Sequence, residues 1–432
     1  MRSARIGRIV VLAAFAALAV PVAAQANEVT NWNSIAQSTI LAQPPLASAP
    51  PASAVMMAMV QGAVYGAVNA IDRQHRPYLV HRRFPHASKE AAVATAAFRV
   101  LDALFPAQHA VLQAQYDTSL DDIPDGRPKN QGIEVGTLAA EAMLAGGHDG
   151  RGGPIPPLPP PGPGRWQPLI GPDGNPLLDP SPWVALAQPF LIRSGSQFRT
   201  SGPNPLSSPA YAADVNETEQ LGALDSLFRT PEETHLAVFW QSNPTATFNG
   251  LARRLVDERQ LDLTDSALLF GMLDLTAGDA QIACWNDKYY WGSWRPMAAI
   301  RSADQDDNPA TTADPNWLPL FVPTLDPAIA GAGPPLITPP FPEHPSGHLC
   351  FTSSVAHALQ AFLGADEVTF YVTSSRFPGE RLHFSRLSDM TNQVTEARIW
   401  GGIHFRTADE QGALLGERVA RYAQLHYFEP LH

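Results

Sequence analysis

Three short stretches carry side chains able to hold an anion and move protons. Lys288 and Arg295 stand seven residues apart in KYYWGSWRP, Ser346, Gly347 and His348 follow one another in FPEHPSGHLC, and Arg398 and His404 bracket two glycines in ARIWGGIHFRTADEQG. If helix ran through the first stretch, seven residues would turn the chain through about 700°, and both cations would leave one face roughly 10 Å apart. Taken alone they read first as snorkelling surface cations. The flanking Tyr289, Tyr290, Trp291 and Trp294 imply a drier setting, where an unpaired cation is costly. Ser346 stands where a helix N-cap belongs. A helix start attracts anions through its free N–H groups, Gly347 lets an anion approach the backbone, and His348 in the first turn can give or take a proton. His344 reads as a loop residue. Gly401 and Gly402 would each cost about 1 kcal/mol in a plain helix, so they predict close packing or close approach of a ligand. His404 reads either as part of that site or as a core histidine held by a backbone carbonyl.

Together, the order Lys-x6-Arg-Pro, Pro-Ser-Gly-His, Arg-x5-His resembles the signature of the vanadium-dependent haloperoxidase and type 2 phosphatidic-acid-phosphatase superfamily, between Lys288 and His404. The resemblance implies that Lys288, Arg295 and Arg398 neutralise a tetrahedral oxyanion, with vanadate as the cofactor or phosphate as the substrate. Ser346 and the Gly347 N–H would donate to it, and His348 would act as acid and base. His404 would bond the central atom, as the vanadium ligand or as a nucleophile on phosphorus. Ala397 departs from the pattern, which has Ser before the arginine, so one hydroxyl contact near Arg398 is in question. Asp409 is expected to orient His404 or an arginine from behind, and Trp294 and Phe341 to shape a halide pocket. Cys284 and Cys350 flank the motifs closely enough to approach each other and form a bridge.

Both chemistries use the same residues, because vanadate imitates the trigonal-bipyramidal state of phosphoryl transfer. The long segment before Lys288, with GAVYGAVNAID and PFLIRSGSQFR, favours a haloperoxidase that oxidises halide with hydrogen peroxide to a hypohalous-acid-type product. The partners expected are therefore small molecules: peroxide, halide and an organic acceptor if there is one. The alternatives are an acid phosphatase acting on phosphomonoesters or lipid phosphates, and a secreted protein that binds the oxyanion without turnover.

The elements that must position these residues read as all-α, helical bundles packed side by side and joined by long Pro-rich loops. Helices are predicted over 53–72, 87–105 with Ser88 as cap, 131–145, 210–228, 231–241, 263–294 with Thr264 as cap, 346–363, 385–400 and 404–424. Residues 367–374 could be strand or helix. The loops 150–189 and 302–345 are rich in proline, and the first could roof a pocket. Asp304, Asp306 and Asp307 in the second read as a solvated run before they read as a calcium site.

Residues 1–26 have the layout of a secretory signal, with Arg2, Arg5 and Arg8 before an apolar run and Ala24-Gln25-Ala26 at its end. A periplasmic or secreted protein is expected, its residues 27–432 forming one helical domain with an N-terminal half, 27–230, and a catalytic half, 231–432. No later segment reads as apolar enough to span a bilayer. Without the three leader arginines, 26 Lys+Arg face 41 Asp+Glu, a balance of −15 that offers no footprint for nucleic acid.

Overall fold

The computed structural model describes residues 27–171 and 174–431, so the expected leader at 1–26 lies outside the described residues. Among the described residues fifteen α-helices carry the fold, and the one sheet is a two-stranded hairpin. The all-α reading holds. The β-branched piece resolves as a strand, Glu367–Val372, paired antiparallel with Leu382–Arg386.

Two long helices form the centre. Pro50–Asp72 is apolar on every face and buried almost throughout, and it packs against Leu263–Trp291. Both are long and apolar enough to cross a membrane, contrary to the expectation from sequence, yet nearly every residue of each is enclosed by the fold. An all-round apolar helix is what a core demands when other helices cover each of its faces. The surrounding shell includes helices that went unpredicted at Glu28–Leu41, His109–Asp121 and Pro244–Arg259. Their apolar faces are narrow and punctuated by polar residues, which weakens the periodic signal.

Several boundaries differ from expectation. The cap of the long helix is Asp262, whose carboxylate accepts from Thr264 N at 2.8 Å and Asp265 N at 2.9 Å; the Thr264 hydroxyl instead joins Asp72 and Lys89. That helix ends at Trp291 because Gly292 adopts a left-handed conformation, φ +55°, and closes it with a bond to Lys288 O. Arg295 therefore leaves the helix altogether and becomes the N-cap position of Pro296–Arg301, so the shared helical face expected for Lys288 and Arg295 does not exist. The helix predicted over 210–228 is shorter, Pro209–Gly222, and 231–241 becomes Pro231–Phe239 behind a Thr230/Glu233 capping box.

Gly347–Leu363 and Arg406–His426 cross so closely that a Cβ on Gly412 would stand 2.7 Å from Ser346 O, and one on Gly416 2.6 Å from Cys350 O. Gly412→Ala should destabilise the protein by about 1–3 kcal/mol, because the obstruction is backbone and cannot turn aside. A lowered urea midpoint, together with weakened oxyanion binding from a displaced Ser346, is the expected result.

Asp274, wholly buried in the long helix, accepts from Asn249 Nδ2 at 2.9 Å through one oxygen and has no partner on the other. Burial raises its pKa from 3.8 to about 7. Between those values the unfolded chain releases a proton that the folded protein keeps, so stability falls as pH rises through the window and levels off above it. Asp274→Asn should therefore exceed the parent in stability at pH 8, by up to on the order of 4 kcal/mol, and match it near pH 3. Melts of both proteins across that range check the sign.

Candidate active site

The cations converge although they sit on separate elements. Lys288, fully buried, donates from Nζ to the carbonyls of Pro342 at 3.1 Å, Glu343 at 2.9 Å and Pro345 at 2.5 Å. Arg295 donates to Phe341 O from Nε at 2.9 Å and to Ile403 O from Nη1 at 2.7 Å. The proline-stiffened 341–345 loop thus wraps both cations in carbonyl oxygens, which partly replace lost water. Burial still lowers the Lys288 ammonium to about 8, with Arg295 adding to the effect, and lowers Arg295 to about 10 despite the opposing pull of Glu343. Arg398 is likewise buried and lowered to about 9; its Nη1 donates to Gln241 Oε1 at 2.8 Å, and its Nε has no partner. Gln241, not a hydroxyl at position 397, is what supports this arginine, while Ala397 is simply packed in the core.

His404 is neither a core histidine on a carbonyl nor a partner of Asp409. Its Nδ1 pairs with Glu343 Oε1 at 2.9 Å, an oxygen that also accepts from Phe405 N at 3.1 Å. Its Nε2 lies 3.1 Å from Arg295 Nη1. Burial, reinforced by the three cations, holds His404 well below its usual pKa, so the ring is neutral and, with Nδ1–H given to the glutamate, presents the Nε2 lone pair toward the cations. Glu343 is itself pushed up to about 7 by burial, against the pull of Arg295 and Lys288. The sequence reading passed over Glu343, although a lone carboxylate inside the apolar, proline-rich FPEHP was a visible signal of a specific partner.

Ser346 precedes the Gly347–Leu363 helix as expected, but its side chain makes no capping bond. Its Oγ lies beside the Asp409 carboxyl without a well-formed bond to it, and Asp409 also acts through its charge on Arg398. Asp409 thus faces the serine and the arginine from behind. A Cβ on Gly347 would stand 3.0 Å from the Trp285 ring. His348 is held far below its usual pKa, first by burial and then by Arg398, Lys288 and Arg295; its Nε2 is without a partner. At neutral pH this imidazole is uncharged and able to accept a proton.

Gly347, His348, Arg398 and His404 line one cavity of about 280 Å³. Its opposite wall is apolar: Trp285 and Phe341, 5.0 Å apart between ring centroids, with Pro50 and Pro180. Phe341 is thus placed as expected, whereas Trp294 belongs to a different cavity and Trp285 takes the position foreseen for it. The 150–189 loop reaches the site, since Pro180 and Ser181 line it and Asp179 accepts from Trp285 Nε1 at 2.9 Å and Tyr289 OH at 3.0 Å. Gly401 and Gly402 serve packing: added Cβ atoms would strike Phe321 at 2.7 Å and Gly222 O at 2.5 Å. Cys284 and Cys350 do come near each other, as two buried free thiols with no bridge between them, and Cys284 Sγ donates to Pro345 O at 3.7 Å. The acidic run is no cation cage, because Asp306 is spent on Asn308 N and Thr311 Oγ1 and no cluster of metal-binding side chains occurs among the described residues.

A tetrahedral oxyanion fits this set. Ser346 Oγ, Arg398 Nε and His348 Nε2 are buried polar atoms with no protein partner, and three crowded cations are each lowered in pKa by burial. A guest on His404 Nε2 requires Arg295 Nη1 to yield that position and turn to the guest's oxygens.

Fold and site together define a helical-bundle protein with buried cations and two neutral imidazoles gathered at one cavity. Residues 268–432 match the family described as the VCPO second helical-bundle domain. The vanadium chloroperoxidase of Curvularia inaequalis is 26% identical over 218 residues, covering 44% of this chain and 34% of that protein, so the chain spans about a third of the relative's length. Among solved structures, the first bacterial vanadium-dependent iodoperoxidase superposes with a TM-score of 0.72 at 21% identity, covering 93% of this chain and 97% of that one. A holo-type bacterial vanadium-dependent chloroperoxidase gives 0.63 at 19%, covering 90% and 95%. The likeness in sequence thus lies in residues 268–432, and the solved structures share the fold over nearly the whole chain.

Proposed function

We propose that this protein is a vanadate-dependent haloperoxidase that uses hydrogen peroxide to oxidise a halide. The observation that carries this reading is the pairing of an oxyanion cluster with a small apolar wall in one cavity: Trp285, Phe341 and the prolines leave a dry approach suited to peroxide and a monatomic halide. Bound vanadate supplies Lewis-acid activation of peroxide without changing its own oxidation state. Every other task falls to the chain. Glu343 fixes the His404 tautomer so that Nε2 is the coordinating atom. Lys288, Arg295 and Arg398 balance the charge of the guest, Ser346 Oγ and the Gly347 N–H donate to its oxygens, and neutral His348 takes up and returns a proton at Nε2. The aromatic wall excludes water from the product. Export from the cytoplasm belongs to the same reading and rests on the leader-like residues 1–26.

The test uses purified protein loaded with orthovanadate. Peroxide-dependent halogenation of a phenolic dye with bromide or iodide is expected. Brisk hydrolysis of a phosphate monoester with no halogenation would assign the site to phosphoryl transfer instead. Tight vanadate or phosphate binding with neither activity would make it a binding protein.

A further inference from the structure

We propose that a second cavity, behind the Glu343–His404 pair, is a binding site for a small neutral aromatic molecule bearing one hydrogen-bond donor, a phenol in the simplest case. This cavity holds about 310 Å³ and shares no lining residue with the oxyanion cavity. Glu343 lines it on one side while touching His404 on the other.

Its walls are aromatic, from Trp291, Trp294, Tyr211 and Phe405, with Tyr211 and Phe405 edge to face at 6.3 Å between centroids. Such faces favour a flat ring packed among them. Its unpartnered polar atoms are of both kinds: Tyr211 OH and Trp291 Nε1 can donate, and two further groups can only accept. Glu343 spends Oε1 on His404 and Phe405 N, and no protein donor reaches Oε2. His344 lines the cavity with its side chain wholly buried. Its tautomer follows from its neighbours: the Thr200 hydroxyl gives its one proton to Asp287 Oδ2 at 2.7 Å, so His344 Nε2, 3.0 Å from that hydroxyl, must be the donor. His344 Nδ1 is therefore a bare lone pair, and it has no partner. A buried acceptor without a donor is costly, and a ligand O–H or N–H removes the cost.

Charge narrows the class further. Asp214 and Glu343 disfavour a carboxylate or phosphate guest. Burial and then the nearby Lys288 charge hold the His344 ring to about 3, and the same field disfavours an ammonium. Arg165 is at the cavity edge, tied to Trp291 O at 2.6 Å. A neutral aromatic hydroxyl, which can both give and accept a hydrogen bond, suits these walls. The inference concerns binding alone and holds for either chemistry of the first site.

The experiment is a ligand-observed NMR titration of the full vanadate-loaded protein with phenol, anisole, benzoate and benzylammonium. Phenol should bind saturably, at least about tenfold more tightly than anisole, which lacks the donor, and than either ion. Saturating orthovanadate should not displace it. Leu206 lines the cavity away from the oxyanion site, so Leu206→Trp should weaken phenol at least tenfold while vanadate binding, measured by equilibrium dialysis, stays unchanged. The smaller filling, Leu206→Phe, guards against a misfolded variant and should give an intermediate loss. No saturable phenol binding, equal binding of anisole, or phenol binding indifferent to both fillings would overturn the proposal. Intact vanadate binding in the same samples would leave the haloperoxidase reading standing.

Discussion

His404→Ala is expected to abolish vanadate-dependent turnover, by about a thousandfold or more, and to remove tight vanadate binding while leaving the fold intact. Two features support so large an effect: the ring is held at Nδ1 by Glu343, and its Nε2 points into the cation cluster. Groups that act as one catalytic unit lose nearly everything when one member goes. The cations remain in the variant, so weak electrostatic attraction of phosphate and vanadate should persist. Equilibrium dialysis, far-UV circular dichroism and halogenation assays read the three consequences separately. Turnover within tenfold of the parent would mean that the central atom is bonded elsewhere.

Glu343→Ala should lower vanadate affinity by about 10–100-fold, the usual cost of removing the group that orients a metal-bound histidine. The glutamate is buried between His404 and the backbone N–H of Phe405, so alanine frees the ring to turn and leaves Phe405 N without its acceptor. It also removes a negative neighbour from Arg295 and Lys288, which should lower stability as well. Glu343→Gln separates the two contributions. Its amide oxygen can still accept from His404 and Phe405, so affinity should recover in large part, whereas the lost charge should keep stability below that of the parent. If alanine and glutamine were equally poor binders, the carboxylate would act through charge and not through the orientation of the ring.

These outcomes depend on residues that were unequally visible beforehand. Gly347–Leu363, Leu387–Trp400 and Arg406–His426 lie within a few residues of their predicted bounds because apolar residues recur along each at helical spacing, although none has a side-chain N-cap bond. Asp262 took the cap from Thr264 because a carboxylate two residues earlier accepts two N–H groups at once. Glu343 carried its signal in plain sight, but nothing local could say which donor would meet a carboxylate 61 residues from His404. Trp285 and Trp294 were harder still. Trp285 precedes the first motif and Trp294 lies within it, and which of them faces the cation cavity depends on where Gly292 ends the helix.

By itself the sequence determined the all-α class, the three motifs and the identity of the converging groups, since helix propensity and the chemistry of Lys, Arg, Ser, Gly and His are properties of residues and near neighbours. Only the tertiary structure decided that Glu343 and not Asp409 holds His404, that Gln241 steadies Arg398, and that Trp294 lines a separate cavity. Those choices are made by side chains brought together across long stretches of chain, where burial sets a high cost on any polar group left unpaired.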